Sequence, residues 1–103
     1  MNPEQSFLSM LGIARRAGKL VFGCDAVIEQ VGKRQASLLI LSCDLSERSR
    51  RRVLDVAEPY GVPCLSPPFA MAQFQHAIGR CTGILAVCDR GFANRLLSFA
   101  NSF

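Results

Sequence analysis

The sequence predicts an α/β domain in which one sheet is sandwiched between layers of helices. Helical and extended patterns alternate along the whole chain. Two extended runs, "SLLILSC" at 37–43 and "GILAVC" at 83–88, are apolar at nearly every position. No linker, internal repeat or low-complexity tract interrupts the 103 residues. A strand that is apolar on both faces is covered on both faces, which calls for helices on each side of the sheet. A chain of this length makes one domain, 1–103.

Each element follows from local signals. Apolar residues at 7, 8, 11 and 14 draw a helical stripe from Pro3 to Ala17, and Gly18 is a natural left-handed stop. Leu20–Phe22 is a short strand. A helix from Cys24 to Gly32 follows, with Ala26, Val27 and Val31 on one side. After the 37–43 strand, Asp44 and Glu47 have the spacing of a capping box. The next helix carries Val53, Leu54, Ala57 and Tyr60 on its buried side. Pro59 distorts or ends that helix early and Gly61 closes it. "VPCL" at 62–65 is a further strand, and Ser66-Pro67-Pro68 is a loop into a helix bearing Ala70, Phe74, Ala77 and Ile78. After the 83–88 strand, Asp89 caps a final helix with Phe92, Leu96, Leu97 and Phe99.

Half of the residues are apolar and 19% are charged, a globular composition and not a disordered one. The net charge of +4 and pI near 9.1 suit a polyanionic partner without requiring one. The five cysteines stand singly, with no Cys-x-x-Cys pair, so a zinc knuckle or thioredoxin-type site is not expected. Cys43, Cys64 and Cys88 sit in apolar runs and read as small buried side chains, reduced as in a cytosolic protein. The opening Met-Asn-Pro-Glu-Gln is acidic and polar where a signal peptide would be basic and then apolar. No apolar stretch approaches the roughly 20 residues of a membrane helix. The expected location is the cytoplasm, with no cofactor.

A short strand, Gly23 and then a helix start is the geometry that presents free backbone N–H groups to an anion. The plainer reading is a tight turn at Gly23, with Asp25 complementing the helix dipole. "GKLVFG" has no trailing Gly-Lys-Ser/Thr and is not a phosphate loop, and the dinucleotide fingerprint is also missing. Arg48, Arg50, Arg51 and Arg52 form the densest positive run, either a solvated helix face or a phosphate-contacting patch. Residues 48, 51 and 52 share one face and 50 points elsewhere. His76, the single histidine, has no evident nucleophilic partner and reads as a surface residue. Cys24 at a helix N-terminus leaves a thiol-dependent activity open.

The stretch "LGIARRAGKLVFG" (11–23) resembles the small bacterial branch of the ribosomal L-seven-Ae / L-thirty-e / S-twelve-e / Gadd family, known for binding kink-turn RNA. "ASLLILSCDLS" (36–46), "YGVP" (60–63), "HAIGR" (76–80) and "LAVCDRGFANRLL" (85–97) follow in the family's order and cover nearly the whole chain. The resemblance implies a three-layer α/β/α sandwich with a mixed sheet of about four strands. It also implies that Gly23 begins the RNA-binding helix, whose first turn, Cys24 and Asp25 included, enters the widened groove at a sharp bend. There Asp25 would accept from guanine N–H groups, while Lys19, Lys33 and Arg34 would neutralise phosphates. Arg80, Cys81 and Thr82 stand in the short loop that replaces the family's apolar grip on a flipped-out base.

The chain departs from the family pattern in several places. Asp25-Ala26 replaces Asn-Glu, Glu29 replaces a basic residue, Ser37 replaces a lysine, and the 79–83 loop is shorter. Three hypotheses follow. The leading one is a non-enzymatic RNA-binding protein of the ribosomal-protein type, acting on ribosomal RNA or a kink-turn in an mRNA leader alongside translation or transcription machinery. The alternative is a protein-interaction module that kept the scaffold and lost RNA reading. The third is the Cys24 enzyme.

Overall fold

The computed structural model describes residues 2–103; Met1, at the head of the acidic opening, lies outside them. Helix α1 (Pro3–Arg16) begins where the Asn2 side chain accepts the Gln5 N–H at 2.8 Å, with Pro3 at the first helical position. There follow β1 (Leu20–Phe22), α2 (Cys24–Gly32), β2 (Leu38–Leu41) and α3 (Glu47–Ala57), which tightens into a 3-10 turn, Glu58–Tyr60. The chain closes with β3 (Cys64–Leu65), α4 (Met71–Ile78), β4 (Ile84–Val87) and α5 (Arg90–Ala100).

The four strands lie in the order β1-β4-β2-β3. β4 is antiparallel to both neighbours, and β2 is parallel to β3. The C-terminal ends of β1, β2 and β3 therefore meet the N-terminal end of β4 at one end of the sheet. Alternation along the central strands sorts the core into two layers. Leu38, Ile40, Leu85 and Val87 pack with Phe7 and Leu11 of α1, Phe74 and Ile78 of α4, and Leu96 of α5. Leu39, Leu41, Ile84 and Ala86 pack with Val27 and Val31 of α2 and Val53 and Ala57 of α3. This is the expected three-layer sandwich around a mixed sheet. No helix among the described residues is long and apolar enough to cross a membrane.

Four local expectations are corrected. The α3 cap is Ser46, whose hydroxyl accepts the Ser49 N–H at 3.2 Å, and not Asp44. Asp44 instead accepts the Met71 N–H at 3.1 Å, capping α4, whose own N-cap Ala70 has no acceptor. The Asp44 carboxyl lies below its ordinary range, chiefly because of the nearby Ser42 hydroxyl, which outweighs an opposing desolvation, with a lesser contribution from the Met71 N–H. Tyr60 is exposed, because the 3-10 turn shifts the angular period and rotates it off the α3 stripe. Ala26 is exposed too: Val27 and Val31 define the buried stripe, and position 26 lies about 140° from Val31. Cys43 is exposed, because β2 ends at Leu41 and the chain turns outward.

Cys64 and Cys88 are partly buried, and desolvation pushes both thiols above their ordinary range, with Lys19 partly opposing this at Cys88. Thiolate is the reactive form, so Cys43 and Cys81 should be alkylated first at neutral pH. Cys64 and Cys88 should follow only as the pH rises past 9 or the protein unfolds. Peptide mapping after brief maleimide treatment checks the order; equal labelling of all five at pH 7 would contradict this packing.

Candidate nucleic-acid interface

Gly23 joins β1 to α2 with φ 91° and ψ 155°, a region that only glycine occupies without strain. Its N–H donates to the Ile84 carbonyl at 3.1 Å, extending the β1–β4 pairing by one step, and its carbonyl accepts the Val27 N–H at 3.0 Å. The Cys24, Asp25 and Ala26 N–H groups precede that first intrahelical bond, and no side chain caps them. A Cβ on Gly23 would meet no atom within 4 Å, so the backbone here borders open space. The Cys24 side chain turns inward and packs on the core between α2, α3 and the sheet.

Asp25 is exposed, and its Oδ1 accepts from Arg52 Nη2 of α3 at 2.9 Å. A carboxylate has acceptor sites to spare, so Oδ2 can still take a donor from a ligand. Three of the four arginines of the 48–52 run thereby have partners, and Arg48 is exposed without one among the described residues. Arg50 donates to Ser66 Oγ at 2.7 Å, Arg51 lies 3.8 Å from Glu47, and Arg52 serves Asp25. Along α2, Lys33 bonds Glu29 at 2.8 Å, and that bond is the chief reason the Glu29 carboxyl lies below its ordinary range. Glu29 and Lys33 thus form an exposed pair one turn apart on α2.

The 79–83 loop sits beside Gly23 at the same end of the sheet, where the Gly83 carbonyl accepts the Ser42 N–H at 2.9 Å. The Thr82 hydroxyl is taken up locally by the N–H and carbonyl of Ile84, and Cys81 is exposed. The Arg80 guanidinium lies over the Phe22 ring at 5.2 Å. Arg15 covers the same ring at 5.7 Å and donates from Nη1 to the Ile78 carbonyl at the end of α4. Sequence reasoning missed Arg15. Its position in the last turn of α1 looks like ordinary dipole complementation, and only the fold carries it across 63 residues to α4.

The candidate residues fall into two groups. Gly23, Cys24, Asp25, Arg80, Cys81 and Thr82 meet at one end of the sheet. Lys19, Lys33 and Arg34 lie at the other, about 13 Å away along the nine residues of α2. There the Cys88 N–H donates to the Lys19 carbonyl at 2.8 Å, and Arg34 stacks on Tyr60 at 5.4 Å. Among the described residues, no group of three or more His, Cys, Asp or Glu side chains could hold a metal ion.

No family model matches the chain. It is 35% identical over 94 residues to the RNA-binding protein YlxQ of Bacillus subtilis, covering 86% of this chain and 89% of that protein. Against the RNA-binding protein YlxQ of Enterococcus faecium the identity is 31% over 92 residues, covering 89% and 88%. A Bacillus halodurans protein of unknown function superposes with a TM-score of 0.87 at 30% identity, over 92% of this chain and 96% of that one. The Giardia lamblia 15.5 kD RNA-binding protein superposes with a TM-score of 0.73 at 16% identity, over 96% and 85%, and shares the fold.

Proposed function

The chain belongs to the family of YlxQ RNA-binding proteins, and from that premise we propose that residues 1–103 form one RNA-binding domain that recognises a kink-turn or similarly bent RNA. The observation that carries the reading is Gly23, whose glycine-only backbone opens an uncapped helix start onto free space. The uncapped N–H groups of the first α2 turn and the free oxygen of Asp25 border that space, and the Arg80 guanidinium lies over Phe22, the residue before Gly23. This set suits an RNA bend: donors and the helix dipole for phosphate, an acceptor for guanine edges, and cations for the backbone. The protein works without catalysis, in the cytoplasm, on ribosomal RNA or an mRNA leader alongside translation or transcription machinery.

A titration at two salt concentrations tests this, with a kink-turn RNA set against a straight duplex of equal length. The bent RNA should bind tighter by about tenfold or more, equivalent to ~1.4 kcal/mol. For each tenfold rise in salt, affinity should fall by close to one logarithmic unit per phosphate neutralised. Equal, weak binding to both RNAs would reject bend recognition and move attention to the protein-interaction reading.

A further inference from the structure

We propose that the groove between α1 and α4 carries the sugar-phosphate backbone of the RNA arm that leaves the bend over the 79–83 loop. The inference rests on the RNA-binding reading above and extends it to a surface that none of the candidate RNA-contacting residues lines. Three observations support it.

The groove is continuous with the proposed site. Phe22, the last residue of β1, lies directly before Gly23 and is flanked by Arg80 and Arg15. Arg15 ties the end of α1 to the end of α4 through the Ile78 carbonyl. From that junction a cavity of about 250 Å³ opens beside Arg15, Arg16 and Gly79. It shares Gly12, Arg16 and Ala77 with a second cavity of about 410 Å³ that runs on past Ser9 and His76 to Gln5. Gln5 to Arg16 spans about 17 Å along α1.

The charge of the groove is of one sign. Its titratable lining residues are Arg15, Arg16 and His76, and no carboxylate lines it. Among the described residues, Arg15, Arg16 and Arg80 have no acidic partner within 4.0 Å, whereas Arg51 and Arg52 of α3 each face a carboxylate. Of the α3 run only Arg48 lacks any side-chain partner among the described residues, and it stands alone on that helix, whereas Arg16 lies beside Arg15 and shares one groove with it. A groove with two arginines at the end nearest the bend, polar groups beyond them and no carboxylate along its lining suits a polyanion.

The floor is shaped by close helix contact. A Cβ on Gly12 would lie 3.2 Å from the Ala77 carbonyl oxygen, so α1 and α4 approach closely there. Ser9 and Gln5 add hydrogen-bonding groups along the path. Ile13, 43% exposed on the rim, offers an apolar contact for a ribose or base edge.

The experiment compares two kink-turn RNAs, one trimmed to the bend and one with its arm extended by a full helical turn, for the wild type and Arg16→Gln. Arg16 is exposed and unpaired, so the substitution should leave the melting temperature unchanged. The wild type should bind the long-armed RNA tighter than the trimmed one. Arg16→Gln should weaken long-arm binding about 3- to 10-fold, reduce the salt slope by about one, and leave trimmed-RNA binding unaltered. If the wild type prefers bent RNA but arm length and Arg16→Gln change nothing, the groove proposal is overturned and the Gly23 site stands. The groove would then be open to an acidic protein segment. If the wild type shows no preference for bent RNA at all, the parent reading fails and this one fails with it.

Discussion

Phe69→Ala should remove about 3–5 kcal/mol of folding stability, a large part of the roughly 5–15 kcal/mol available to a domain of this kind. Phe69 lies outside every helix and strand, one position after Pro68, yet only 2% of it is exposed. Its ring meets Phe7 of α1 at 5.7 Å, Phe74 of α4 at 6.5 Å and Phe103 at 5.6 Å. Each of these tilted or edge-on pairs lies in the range that adds about 0.5–1.5 kcal/mol beyond burial. Its carbonyl also accepts the Cys43 N–H at 2.8 Å, joining the turn after β2 to the entry of α4. Truncation would leave a cavity between rings held by different elements, a site that cannot collapse easily. Urea unfolding should show a lower midpoint at an unchanged slope. Phe69→Leu, which keeps an apolar side chain there, should cost much less. A loss below about 1 kcal/mol for Phe69→Ala would mean that this end of the core is loosely packed.

Phe69 also marks the limit of what the sequence discloses. The layers were legible because β2 and β4 are apolar on both faces and each flanking helix carries its own stripe. Breaks in the pattern were legible where one residue makes them, as at Pro59 and Gly61. What stayed hidden depends on residues far apart in sequence. Asp44 has the spacing of a local cap but serves α4, 27 positions on. Asp25 reads as an unattached acceptor until α3 packs beside α2 and brings Arg52 to it, again across 27 positions. Local pattern also misleads when an element ends earlier than its composition suggests: Cys43 continues an apolar run, but the ladder has stopped at Leu41.

The candidate site shows the same division. Gly23 was legible because a strand–glycine–helix junction constrains the backbone locally. The grouping of the cations was not. The sequence places Lys33 and Arg34 only eight to nine residues after Asp25, while α2 carries them to the far end of the sheet. Arg15 and Arg80, 65 positions apart, instead meet over one ring beside Gly23. Positive charge near a helix start is decided by which ends of the sheet coincide, and strand order sets that.

Gly23→Ala should then reduce affinity for bent RNA by at least about tenfold while costing about 1–3 kcal/mol of stability. The cost comes from the dihedral angles alone, because the added Cβ would touch nothing in the protein. Two responses are open to the chain. It can hold φ at 91° under strain, leaving a methyl group in the space a base or phosphate would approach. Otherwise it can relax to negative φ, which turns the N–H groups of the first α2 turn away and breaks the Gly23–Ile84 bond. Either response harms binding, and a domain stable by several kcal/mol remains folded at 25 °C.

Gly61→Ala is the matched control. Gly61 also has positive φ, at 67°, and its Cβ too would meet open space, but it lies beyond the 3-10 turn at the far end of the sheet. Alanine there should cost about 1–2 kcal/mol and leave RNA affinity intact. Chemical denaturation gives the stability of both variants, and titration of the folded proteins with the kink-turn RNA gives the affinities. A Gly23→Ala protein that is destabilised as expected but binds like the wild type would remove the α2 start from the interface. Equal affinity losses in the two variants would trace the effect to general loosening of the fold and not to the junction at Gly23.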